Sequence, residues 1–201
     1  GVSEGFDAGD DPFNLPEPST EEIDHSVAAT IYSTWRAQML SNTIDGVLSN
    51  IGLGDFLPAN REAWDALAFQ LRNFDQTQGM GASGIPFFNV PGAPDAATAR
   101  DVIILQSAVQ ALDLLASDEF APAFGNSTDL ADYRWGRLHR IVFSHPLGAD
   151  PFNVPNGGGF SSLGAELPGV ARGGGYEAVD ASRHSSRASG LNEFMFSAGP
   201  A

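Results

Sequence analysis

The chain has 201 residues, of which 42% are apolar and only 17% charged, enough for one good core with a trailing segment. Acidic residues outnumber basic ones 25 to 10, for a formal net charge of -15, which repels phosphate backbones and anionic bilayers, so neither nucleic acid nor membrane is expected as a partner. There is no cysteine, so disulfides, thiolate chemistry and Cys-type zinc sites are excluded, and no run approaches the ~18 apolar residues of a bilayer-spanning helix.

Residues 1–19 read as loop, because Asp7, Asp10, Asp11, Pro12, Pro16 and Pro18 break any period. Gly1 to Asp11 lack the charge and apolar run of a signal peptide. Thr20 followed by Glu21 and Glu22 is a helix start, since a hydroxyl caps an orphan N–H and acids favour the positive end of the dipole. Val27, Ile31, Trp35 and Met39 then recur at every fourth position, with Ala28 and Tyr32 alongside. This predicts an amphipathic helix that buries that stripe and ends near Asn42. Asp45 to Leu53 is a short continuation, weakened by Gly46, Gly52 and Gly54.

Pro58-Ala59-Asn60 introduces the next helix, with Asn60 as its cap and Trp64, Leu67, Leu71 and Phe74 on one face. Residues 75–95 are too rich in Gly and Pro for regular structure, and within them Ile85-Pro86-Phe87-Phe88 is an apolar patch that needs cover. Pro94-Asp95 opens a third helix ending near Ser117, with Val102, Leu105, Val109, Leu112 and Leu115 as its buried stripe. Asn126-Ser127-Thr128-Asp129 is a turn with capping residues, and Ile141-Val142-Phe143 a short strand. From His145 onward loops dominate, with strand candidates at Gly175–Asp180 and Glu193–Phe196. The expected fold is mainly α with a few short strands and long loops. It divides into a loop at 1–19, a helical lobe at 20–120 and a loop-rich segment with short β-strands at 121–201.

The residue types that carry chemistry all have a plainer reading beside the functional one. Ser144 and His145 adjoin, with Asp150 following, but neighbours on a strand point to opposite faces and so do not form a triad. His139 and His145 flank the 141–143 strand; a shared metal is the sharp reading, and ring N–H groups satisfying loop carbonyls the preferred one. Arg134, Arg137 and Arg140 recur at every third position and would form one basic stripe on a helical turn. Carboxylate recognition is one reading, and pairing with the chain's excess acids the favoured one. Asp7, Asp10 and Asp11 lack the spacing and closing Glu of a calcium loop. Trp35, Trp64 and Trp135 read as core before ligand platform. Gly157-Gly158-Gly159 and Gly173-Gly174-Gly175 are followed by no Lys-Ser/Thr, so neither is a phosphate loop. No G-x-S-x-G elbow occurs. All ten cationic side chains are Arg. No residue is assigned as catalytic, cofactor-binding or metal-binding.

Trp135-Gly136-Arg137-Leu138-His139-Arg140, followed by Phe143, His145, Pro146 and Leu147, resembles the W-G-x-L-H … F-x-H-P-L segment of the penicillin acylase (penicillin amidase) family. Ala28-Ala29-Thr30-Ile31-Tyr32-Ser33-Thr34-Trp35 is similar to that family's A-A-x-I-Y-x-x-W helix. Gly174-Gly175-Tyr176 through Ala181-Ser182 is similar to its Gly-rich strand. The order and spacing of the three agree. The resemblance implies a piece of the large subunit of an N-terminal-nucleophile hydrolase with an α+β (αββα) sandwich, which cleaves a linear amide by acyl transfer to an N-terminal Ser. That Ser, the oxyanion Asn and the ligands of the family's common calcium ion map upstream of the matched segments. It also implies a periplasmic or secreted enzyme whose small subunit and remaining large subunit are this chain's partners, with the chain as scaffold and the 85–90 loop as a candidate acyl-pocket wall. The alternative is a stand-alone acidic secreted module without catalysis.

Overall fold

The computed structural model describes residues 18–143, 170–171, 185–194 and 196–198. The first helix, α1, spans Thr20–Leu40, and its cap is Ser19, one residue before the expected Thr20. Both positions carry a hydroxyl, but only Ser19 has a Glu three residues on. Its hydroxyl accepts from Glu22 N at 3.3 Å while Glu22 Oε2 accepts from Ser19 N at 2.8 Å, a reciprocal capping box. Those bonds from Ser19, backbone first and hydroxyl second, hold the Glu22 carboxyl below its ordinary 4.5. Asp95, which caps α5 (Ala96–Leu115) by accepting from Thr98 N at 2.7 Å, is held below 3.8 by the same kind of bond. Depressed acids stabilise the fold above their unfolded values and lose that contribution as pH falls through the folded ones. Thermal melts of Ser19→Ala should show a loss of about 1 kcal/mol at neutral pH that shrinks as the pH falls through the range in which the parent's Glu22 protonates.

The chain does not leave the helix at Asn42. It widens into a π-turn at Ser41–Asp45 and resumes as α2, Gly46–Asn50. The buried face of α1 also differs from the expected stripe. Ser26, Thr30, Thr34, Arg36, Ala37, Met39 and Leu40 are buried, whereas Val27, Ile31 and Trp35 are only half-buried and Ala28 and Tyr32 are exposed. The threonines enter the interior without orphaned hydroxyls. Thr30 Oγ1 donates to Ser26 O at 3.3 Å and Thr34 Oγ1 to Thr30 O at 3.0 Å, so desolvation costs little.

Helix α3 spans Asn60–Arg72 and α4 Phe74–Thr77. Ala59, not Asn60, stands at the cap position of α3, without a side-chain bond. Leu67 and Phe74 are buried and Trp64 and Leu71 half-buried, so the predicted face holds. The following loop is more regular than its composition suggests. Met80 and Pro86 form an antiparallel bridge, and Phe87 N donates to Gly79 O and Gly81 N to Ile85 O, each at 2.9 Å. Gly79 has φ +71 and lies so close to the Phe88 ring that a Cβ would collide with it.

The largest departure lies on α5. The predicted stripe is mostly the bare side: Val102, Leu105 (68% exposed) and Val109 (57%) face outward. The buried side is Ala99, Ile103, Ser107, Ala111 and Leu115, four residues apart throughout. Small side chains on that ridge let α5 lie close against α1, with which it makes the main helix contact of the fold. Trp35 Nε1 fixes the pair by donating to Ile104 O at 3.2 Å.

Short elements follow: α6 at Ala121–Phe124, a 3-10 turn at Leu130–Asp132 capped by Asp129 as expected, and α7 at Trp135–Leu138. Strands β1 (Arg140–Phe143), β2 (Val170–Ala171) and β3 (Phe196–Ala198) form one sheet in the order β2-β1-β3, with β1 antiparallel to β2 and parallel to β3. The expected strand at 193–196 is displaced, because Glu193 and Phe194 close the helical turn α8, Leu191–Phe194. The candidate strand at 175–180 lies outside the described residues. Two apolar clusters result. One gathers Met39, Leu40, Ile44, Leu67, Phe74, Phe88 and Ile103. The other gathers Leu115, Phe120, Phe124, Tyr133, Trp135, Leu138 and Phe194. α1 and α5 contribute to both. Mainly helical architecture with few strands is thus what the described residues show.

Candidate functional site

The segment 133–140 carries the sequence's most distinctive residues, and the fold buries most of them. The Tyr133 hydroxyl donates to Ser127 O at 2.7 Å. Burial, with Asp132 and Asp129 nearby, pushes its pKa above 10.0. Trp135 is buried edge-on to Phe194, with ring centres 6.1 Å apart. The first N–H of α7, that of Trp135, is satisfied by the buried Ser26 hydroxyl of α1 at 2.8 Å. A cap arriving from 109 residues away does what a local one would do.

His139 is fully buried, and its Nδ1 lies 3.0 Å from Phe194 O. Only a donor bonds a carbonyl, so Nδ1 carries the proton. The imidazole therefore ties the end of α7 to the end of α8, the plainer of the two readings its position allowed. His145, its supposed metal partner, and Ser144 and Asp150 lie outside the described residues. So do Asp7, Asp10, Asp11 and the two glycine triplets. Among the described residues no group of three or more His, Asp or Glu side chains is arranged to hold a metal ion.

The expected Arg134–Arg137–Arg140 stripe does not form. α7 is a single turn, Arg134 stands at its cap and Arg140 already belongs to β1. Arg137 donates to Ala123 O at 3.3 Å and the buried Arg140 to Gly136 O at 2.9 Å. Both guanidinium groups thus serve backbone carbonyls at helix ends.

Where hydroxyls meet carboxylates among the described residues, the contact is a cap. Ser127 Oγ donates to Asp132 Oδ2 at 2.5 Å while accepting from Asp129 N at 3.0 Å. Ser19 Oγ donates to Glu22 Oε2 at 2.7 Å. Both hydroxyls are held by the turns they begin. The 85–90 loop turns its aromatic rings inward: Phe88 is buried and Phe87 packs on the same cluster, leaving Pro86 and Met80 outside.

A polar cluster that sequence reasoning missed joins the 45–60 region to residues 186–187. Arg187 forms a two-pronged bond to Asp45, Nε to Oδ2 at 2.6 Å and Nη2 to Oδ1 at 2.8 Å. It also donates to Asn60 Oδ1 and Pro58 O, each at 2.9 Å, while Ser186 Oγ donates to Asn60 O at 2.8 Å. No local spacing signals a cluster whose members stand 126 to 142 residues apart. Asn60 is spared from capping α3 and spent here.

The W-G-x-L-H segment is therefore a structural knot in which α1, α7, α8 and β1 converge, and residues 18–201 match the family model for penicillin amidase. The chain belongs to the penicillin amidase family. No curated protein and no solved structure gives a significant match. The family is one of amide hydrolases, which agrees with the resemblance carried by the same motif. Among the described residues no helix is long and apolar enough to cross a membrane.

Proposed function

We propose that this chain is the scaffold part of a penicillin-amidase-type enzyme that cleaves a linear amide by acyl transfer to an N-terminal Ser supplied by polypeptide other than these residues. The observation that carries the reading is the bare outer face of α5. Leu105 and Val109 are more than half exposed at neighbouring positions of one helix, and Phe56, in the loop after α2, is 77% exposed. Large apolar side chains clustered on one helix face call for cover. The remainder of the enzyme, both its small subunit and the rest of its large subunit, is the cover proposed here, with the helical lobe set on the family's αββα sandwich. Calcium, if the parent enzyme carries it, binds outside the residues described, and the site of action is the periplasm or the cell exterior. For the 85–90 loop, a role as acyl-pocket wall falls to the exposed Pro86, since Phe87 and Phe88 pack into the core.

The 201-residue chain alone is expected to show no turnover of phenylacetyl or long-acyl anilides. Co-expression with the polypeptide encoded on either side of it in the same reading frame is expected to restore hydrolysis. Turnover by the isolated chain, abolished by Ser144→Ala or His145→Ala, would sink the proposal.

A further inference from the structure

Three of the five residues of the π-turn at Ser41–Asp45 send their side chains to different places. Asn42 Nδ2 reaches Ser107 Oγ at 2.9 Å and Gln110 Oε1 at 2.6 Å on α5. Thr43 Oγ1 donates back to Met39 O at 2.5 Å. Asp45 holds Arg187 of the 185–194 strap. A π-turn is rare and less favourable than the α-helix on either side of it, so something must hold it open.

Gly46 shows how it is permitted. Its φ of -63 is ordinary for a helix, yet a Cβ there would lie 2.5 Å from the Ser41 carbonyl oxygen. Real side chains do not approach backbone that closely, so any residue but Gly drives the turn back toward α geometry. Because each α-helical residue turns by about 100°, that change swings Asp45 away from Arg187.

We propose that the π-turn is a two-register joint energetically coupled to the strap. Arg187 and the Asn42 bonds hold the helix in the π register, and the π register in turn presents Asp45 to Arg187. Losing either favours losing the other, since coupling between two sites is reciprocal.

Trypsin reads the strap directly, because Arg187–Ala188 is a cleavable bond whose guanidinium is clamped. Limited proteolysis of the full chain is compared with Gly46→Ala, Asp45→Ala and the double variant, using cleavage after Arg72 in α3 as internal reference. Gly46→Ala and Asp45→Ala should each speed cleavage after Arg187 by about tenfold, the loss of one charge-assisted contact, with Arg72 unchanged. The double variant should cleave no faster than the faster single one. Conversely, Arg187→Ala should speed hydrogen exchange at the amides of residues 42–46. Protection of Arg187 in Gly46→Ala equal to that of the parent overturns the proposal, and so do effects that multiply in the double variant. Should Gly46→Ala fail to fold by circular dichroism, the exchange arm decides. Faster exchange at 42–46 in Arg187→Ala supports the joint, and unchanged exchange overturns it.

Discussion

Trp135→Ala should destabilise the chain by about 3–5 kcal/mol, the range for a large aromatic cut from a packed interior. The side chain is 2% exposed and meets Phe194, the His139 ring and the rest of the second apolar cluster. Truncation leaves a cavity between α7 and α8 and removes the ring that the His139 imidazole meets at a tilt, centres 5.3 Å apart. The neighbouring tie from His139 Nδ1 to Phe194 O is expected to weaken with it. Urea unfolding followed by the remaining fluorescence of Trp35 and Trp64 measures the loss. Trp135→Phe, which keeps most of the volume, should recover more than half of it. A loss below about 0.5 kcal/mol for Trp135→Ala, the size of an ordinary surface change, would mean that this segment is not the knot described above.

The second large effect is a contrast between two identical substitutions on one helix. Leu115→Ala removes a side chain that is 0% exposed and should cost about 2–5 kcal/mol. Leu105→Ala removes one that is 68% exposed and should stay within about 0.5 kcal/mol of the parent, with a slight gain from helix propensity. Paired thermal or urea melts decide it. The apolar pattern of the sequence treats the two leucines as members of one stripe and expects both to be costly. Equal losses would show that α5 is rotated from the orientation found. In an assembled enzyme with the outer face of α5 covered, Leu105→Ala should become costly too, so the same pair measured there reports where the cover lies.

The sequence by itself determined the element list of the helical part. Period and punctuation located α1, α3 and α5, because helix starts are local chemistry: Asp95 caps with its own carboxylate, and the acids Glu21 and Glu22 follow a hydroxyl. The Trp-Gly-Arg-Leu-His motif likewise marked the family without any knowledge of contacts. Tertiary structure decided which faces are inside. Large apolar residues mark a helix that must be covered, but close approach of two helices selects small ones, so Ser26, Thr30 and Thr34 of α1 and Ala99, Ser107 and Ala111 of α5 went inward. It also decided the π-turn, which needs one particular glycine among several, and the Arg187 clamp. The partners of Arg187 are separated along the chain by most of its length, and hydrogen-bond geometry at that range leaves no periodic trace in a sequence.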